Sequence, residues 1–132
     1  MEYGLSCMGY EVAGAMGIKM AAPEKHVVCM VGDGSYMMAN SELATAVMMG
    51  VPFTVVITDN RGFGCINRLQ KGTGGAGFNN LLGESRHVNP SQIDFAAHAA
   101  AMGAQAVKVA TIAELEAALI AAKGAKIPQV VV

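Results

Sequence analysis

The chain has 132 residues, with nine Lys and Arg against ten Asp and Glu, three His, three Cys and no Trp. That length suits one domain able to bury roughly two-thirds of its unfolded-chain surface, and a composition 53% hydrophobic and 14% charged excludes a disordered polymer. A net charge of −1 without a basic run argues against a nucleic-acid partner, and apolar stretches broken by Gly, Asp or His leave nothing to span a membrane.

Met8 to Met20 is rich in small and apolar residues, among them Gly9, Ala13, Gly14 and Gly17, and predicts a helix that another backbone can approach closely. Val27-Val28-Cys29-Met30-Val31 is an unbroken apolar run ending at Gly32-Asp33-Gly34, as expected of a strand buried on both faces of a parallel sheet. Asn40 or Ser41 then caps a helix carrying Leu43, Ala44, Val47 and Met48, closed by Gly50. Phe53 to Thr58 is a second buried-type strand, ending at Asp59-Asn60.

From Arg61 to Pro90, six glycines between Gly62 and Gly77 leave room only for a short helix near Cys65–Gln70, and loops of that size are usually functional. Ser91-x-x-Asp94 resembles a capping box that opens a helix to Met102. A short strand at Ala106–Val109, a helix opened by Thr111-x-x-Glu114 and a last strand at Val130–Val132 complete the chain. The order predicts an α/β fold, doubly wound, with a mainly parallel sheet and helices on both faces. In such sheets ligands bind beyond the carboxyl ends of the strands. Gly32-Asp33-Gly34 and Asp59-Asn60-Arg61-Gly62 both lie there, separated by the helix and strand between Ser35 and Thr58.

A lone Gly-Asp-Gly is most often a tight turn. Two polar strand ends one β-α-β unit apart, however, bring a carboxylate, an amide oxygen and a backbone carbonyl together, a hard-oxygen set suited to Mg²⁺ or Ca²⁺ with phosphate oxygens completing the shell. Gly34 and Ser35 lead into a helix whose amides can face those phosphates.

Gly32-Asp33-Gly34, the helix–strand spacer and Asp59-Asn60 resemble the diphosphate- and metal-binding signature of the thiamine-diphosphate enzymes. The family usually has Asn-Asn at the second site; Asp59 stands first here, and Asn60 keeps the ligand position. Tyr3-Gly4-Leu5-Ser6-Cys7-Met8-Gly9-Tyr10 is similar to the family's turn before the preceding helix. The resemblance covers nearly the whole chain, as the carboxy-terminal domain of the acetohydroxyacid-synthase-like branch. Gly32 to Asn40, Ser41 to Thr45 and Gly64 to Gln70 are similar, more narrowly, to the hydrolases that open a trihydroxylated cyclic dione in inositol catabolism.

The resemblance implies thiamine diphosphate and Mg²⁺ as cofactors. It implies Asp33, Asn60 and the Gly62 carbonyl as metal ligands, with Gly34, Ser35, Phe63 and Gly64 meeting the diphosphate largely through backbone donors. Met8 would lie beneath the bent cofactor, the Ser6 carbonyl would accept from its aminopyrimidine, and Cys65 and Ile66 would line the pocket. Asn67, Arg68 and His87 are candidate substrate contacts. The implied reaction is carbon–carbon cleavage carried by the cofactor, the protein supplying orientation, charge compensation and a dry pocket. The family's activating glutamate lies in another domain, contributed across a subunit interface, and no segment here resembles it. The expectation is therefore an incomplete piece, residues 1–132, of a larger homo-oligomeric subunit, inactive alone, with exposed apolar surface that drives self-association.

Met1 is not followed by a basic stretch and an apolar run, and Cys7, Cys29 and Cys65 form no C-x-x-C, so a cytoplasmic, reducing compartment without disulfide or zinc is expected. The methionines are core and interface filler, Cys29 an inert buried thiol, His26 solvated, and His98 a surface or packing residue. Three alternatives remain. An acetolactate-synthase-like lyase or carboligase shares the cofactor motifs. A non-catalytic domain keeping the fold has no need of both Asp33 and Asn60. A dinucleotide-binding domain would need a G-x-G-x-x-G that is missing here.

Overall fold

A computed structural model describes residues 7–132. Strands β1 (Val28–Gly32), β2 (Thr54–Thr58), β3 (Gln105–Val107) and β4 (Gln129–Val131) form one parallel sheet in the order β1-β2-β4-β3. Six helices connect them: α1 (Glu11–Ala21), α2 (Asp33–Met38), α3 (Ser41–Met49), α4 (Gly64–Gly72), α5 (Phe95–Ala101) and α6 (Ile112–Ala122), with a 3₁₀ turn at Leu82–Glu84.

Apolar residues at helical spacing place α1, α3 and α5 on one face of the sheet. Val12, Ala15, Leu43, Ala46, Phe95 and Ala99 pack there with Cys29, Val31, Val55, Ile57 and Val130 into one core. On the opposite face α6 lies over β4, where Val56 and Val131 are buried. The expected double winding is present, unevenly.

That unevenness corrects one expectation. β1 is not buried on both faces: Cys29 and Val31 point into the core, whereas Val28 and Met30 stand exposed, Met30 at 71%. The single helix on that face does not reach over the edge strand. Instead an open apolar groove of about 480 Å³ runs between Val28 and the Ile112, Leu115, Leu119 and Ile120 side of α6. A continuous apolar run signals two apolar faces, but only the tertiary partner decides whether both are covered. Among the described residues no helix is long and apolar enough to cross a membrane.

The helix ends follow local chemistry, with two changes of register. Gly50 closes α3 in the left-handed conformation at φ +64°, and Thr111 with Glu114 forms the reciprocal capping box of α6. At α5 the cap is Asp94, whose carboxylate accepts from the Ala97 amide at 3.0 Å; Ser91 lies a turn too early to take part. Asn40 precedes α3 but makes no side-chain cap, its amide facing the Met37 carbonyl at 3.5 Å. Between β1 and α3 the chain also forms the six-residue α2, which starts on Asp33 itself.

Removal of the Thr111 hydroxyl strips the Glu114 amide of its acceptor at 3.2 Å. Thr111→Ala is expected to lower the unfolding free energy by about 1 kcal/mol, measured as a lower urea midpoint at unchanged slope.

Candidate functional site

Parallel pairing sets β1 and β2 in register, Gly32 opposite Thr58, so the residues that follow each strand leave the sheet at the same level. Asp33 takes the first position of α2 with its carboxylate buried at 5% exposure. One carboxylate oxygen accepts from the Asn60 amide at 3.2 Å and the other from the Gly62 amide at 2.7 Å. Asn60 in turn accepts, through Oδ1, from the Gly64 amide at 3.2 Å. Asp33, Asn60 and Gly62, the three predicted ligands, are thus brought together.

The backbone closes tightly around them. A Cβ on Gly34 would lie 2.6 Å from the Phe63 ring and 2.8 Å from the Gly62 carbonyl oxygen, so only glycine lets the start of α2 approach that carbonyl. The turn reaches Gly62 through Arg61 at φ +60°, its amide donated to Asp59 Oδ1 at 2.9 Å, and Gly62 itself sits at φ +143°. The Phe63 amide donates to the Asn80 carbonyl at 2.7 Å, and that of Gly64 to Asn60. Both amides therefore have protein acceptors, and a diphosphate reaching either must exchange those bonds. The amides of the first turn of α2, Gly34 and Ser35 among them, have no acceptor within the helix by its geometry.

The Cys7–Tyr10 turn docks on the same helix. Met8 is half-buried, and Gly9, buried at φ +91°, donates to Ser35 Oγ at 2.9 Å. Ser6 lies outside the described residues. The Ser35 hydroxyl in turn donates to Glu11 at 2.7 Å.

Beyond Gly62 the long segment is anchored by one antiparallel bridge, Gly62 to Leu81, with the Leu82 amide donating to the Arg61 carbonyl at 2.9 Å. Helix α4 begins at Gly64, close to the expected range, and carries Cys65, Ile66 and Arg68 on exposed positions. Arg68 Nη2 lies 3.8 Å from Cys65 Sγ. Asn67 points inward: it is buried at 7% exposure under Gly77, and its Oδ1 has no partner. Exposed His87 donates from Nε2 to the Leu82 carbonyl at 3.0 Å. A cavity of about 190 Å³ opens beside the strand ends, among Asp33, Gly34, Arg61, Phe63, Leu82 and Phe95.

Electrostatics bear on what the strand ends can hold. Among the described residues the ion pairs are Lys71–Glu84 and Lys108–Asp94, so no cationic side chain pairs with Asp33. Desolvating a carboxylate costs several kcal/mol, and two hydrogen bonds to its charge return about 1.5–3 kcal/mol each, so the balance is close. A divalent cation beside Asp33, Asn60 Oδ1 and the Gly62 carbonyl would decide it, and all three donors are hard oxygens. No cluster of three His, Cys, Asp or Glu side chains occurs among the described residues, so a metal here needs the amide and carbonyl oxygens. The residues present fit such a cation.

Cys29, Tyr36 and His98 behave as packing. Burial, and secondly the charge of Glu11, push the Cys29 thiol up to about 11, leaving it inert. His98 shares a 3.2 Å hydrogen bond with Tyr36, a fully buried residue that sequence patterning passes over and whose hydroxyl burial pushes up to about 12. Glu11 and Asn80 were likewise unpredicted; a polar residue that bonds a distant backbone leaves no local signal.

Residues 1–132 match the family model described as "Thiamine pyrophosphate enzyme, C-terminal TPP binding domain". Two relatives are 50% identical over 129 residues, 93% of this chain: a 3D-(3,5/4)-trihydroxycyclohexane-1,2-dione hydrolase 2 of Bacillus cereus and the hydrolase of the same activity name from Bacillus thuringiensis (strain Al Hakam). The chain spans about a fifth of their length, 20%. Among solved structures, the thiamine diphosphate-dependent 4-hydroxybenzoylformate decarboxylase of Rhodococcus jostii RHA1 superposes with a TM-score of 0.78 at 25% identity, covering 94% of this chain and 22% of that one.

Gly34→Ala must push the Phe63 ring and the Gly62 carbonyl away from α2. It is expected to lower stability by about 1–3 kcal/mol and to shift the Phe63 and Gly62 amide resonances, read by denaturant titration and by NMR.

Proposed function

The chain belongs to the thiamine pyrophosphate enzymes through their C-terminal TPP-binding domain, and on that premise we propose that Asp33, Asn60 Oδ1 and the Gly62 carbonyl hold Mg²⁺ against the cofactor's diphosphate. One observation carries the proposal: a buried carboxylate at the end of β1, with no cationic partner among the described residues, tied through both oxygens to the turn beyond β2. The Gly34 and Ser35 amides would meet the diphosphate, and those of Phe63 and Gly64 would do so on exchanging their bonds to Asn80 and Asn60. Met8, with Ser6, supports the ring end, and Cys65 and Ile66 face the pocket. Bound thiamine diphosphate supplies the nucleophilic carbon and the electron sink for carbon–carbon cleavage.

The protein's own part is binding and exclusion of water. The glycine-tight approach of α2 to Gly62 fixes the metal ligands, and the segment anchored at Leu81 walls the cavity beside them. Arg68 and His87, exposed on that segment, are the proposed contacts to a hydroxylated substrate. Asn67 is different, because its side chain is buried under Gly77 with Oδ1 unpaired, so the substrate contact expected of it is not proposed.

For the whole protein we propose hydrolytic opening of a cyclic polyol dione, supported by 50% identity to relatives of that name. The alternative is an acetolactate-synthase-like lyase or carboligase, which shares the cofactor motifs. The chain then acts as one domain of a longer cytoplasmic subunit, in a homo-oligomer whose neighbour contributes the activating glutamate. The greater length of the relatives, of which this chain covers 20%, and the exposed outer side of β1 at Met30 support that organisation.

Calorimetric titration with thiamine diphosphate in Mg²⁺ tests the site. Binding is expected for the wild-type protein and should disappear in Asp33→Ala and after chelation of the metal; equal binding by the variant would remove Asp33 from the site. Dione opening by the full-length protein, and no acetolactate from pyruvate, is the expected outcome for the substrate.

A further inference from the structure

We infer that Glu11 is a positioning residue that locks the Cys7–Tyr10 turn to the first turn of α2, and thereby sets the distance between the ring end and the diphosphate end of the cofactor site. The inference rests on the thiamine diphosphate reading given above.

Three groups close a ring of hydrogen bonds. The Gly9 amide donates to Glu11 Oε2 at 2.8 Å and also to Ser35 Oγ at 2.9 Å, while the Ser35 hydroxyl gives its only proton to Glu11 Oε1 at 2.7 Å. Each carboxylate oxygen thus has its own donor, and the hydroxyl both accepts and donates. An acidic residue in the first turn of a helix ordinarily serves that helix, through its dipole or its free amides. Glu11 opens α1, yet Oε1 reaches a hydroxyl 24 positions away, on another element.

The ring joins the two places where contact with the cofactor is proposed. Gly9 follows Met8, and Ser35 follows Gly34. Gly9 also touches the far end of α2, where a Cβ on it would lie 3.0 Å from Met38 Cβ, and its φ of +91° suits glycine. The turn is therefore seated along α2 from Ser35 to Met38, with Glu11 as the charged group in the contact. Among the described residues no cationic side chain pairs with Glu11, so its charge is compensated by these two donors. A ligand that spans both elements feels any shift between them, whereas a ligand confined to the diphosphate end does not.

The test compares two ligands in Mg²⁺, thiamine diphosphate and inorganic pyrophosphate, titrated calorimetrically into the full-length protein and its variants. Glu11→Ala should weaken thiamine diphosphate about ten-fold, the loss of one hydrogen-bonded charge, and leave pyrophosphate unchanged. Glu11→Gln keeps an oxygen for Gly9 and offers its amide to Ser35, and should restore most of the loss. Should Glu11→Ala fail to fold, Glu11→Asp, whose shorter side chain cannot reach both the Gly9 amide and the Ser35 hydroxyl, should show the same selective loss in smaller degree. Equal weakening of both ligands, or of neither, overturns the inference. A folded wild-type protein that binds neither ligand overturns instead the cofactor reading beneath it.

Discussion

The site depends on one carboxylate. Asp33 is the first residue beyond β1, and its two oxygens hold the amides of Asn60 and Gly62, the turn beyond β2. A side chain from one strand end thereby specifies the backbone of the next. Without it, Arg61 at φ +60° and Gly62 at φ +143° would have little reason to adopt those conformations. Asn60 would lose the placement that lets it accept from Gly64 and start α4. The two turns, the start of α2 and the start of α4 form a single unit with Asp33 at its centre.

That unit is held at the right height by the sheet. Because β1 and β2 pair in parallel with Gly32 opposite Thr58, the separation of the two turns is a property of backbone hydrogen bonding. Buried side chains on the α1, α3 and α5 face keep the strands from sliding, since Val55, Ile57 and Val31 have no alternative place in the core. On the other face α6 alone gives less restraint, and β1 shows it in Met30.

Much of this was legible in the sequence. Unbroken apolar runs ending in Gly-Asp-Gly and Asp-Asn marked both strands and both polar ends, because core packing and chain reversal leave compositional traces. Thr111 and Glu114 marked their helix correctly, since a capping box is a local device. The failures share a cause in distant partners. Whether Met30 is covered depends on a helix's reach; whether Asn67 faces substrate or packs under Gly77 depends on how the glycine segment folds back. Glu11 bonds a serine two elements away. At α5 the spacing Ser91-x-x-Asp94 fitted a cap in the wrong register, because Asp94 is itself a good cap and stood nearer the first apolar residue, Phe95.

The long segment after Gly62 is pinned to the site through a narrow base, the bridge to Leu81 and the flanking bonds at Phe63 and Leu82. Residues between Gly72 and Asn79 contribute nothing to the Asp33 unit and stand exposed. The architecture is accordingly modular. A lineage can lengthen, shorten or rewrite that excursion while the hydrogen bonds of the Asp33 unit at its root stay untouched. This chain and the Rhodococcus jostii decarboxylase can share such a scaffold at 25% identity because variation has a place to accumulate that the sheet does not register.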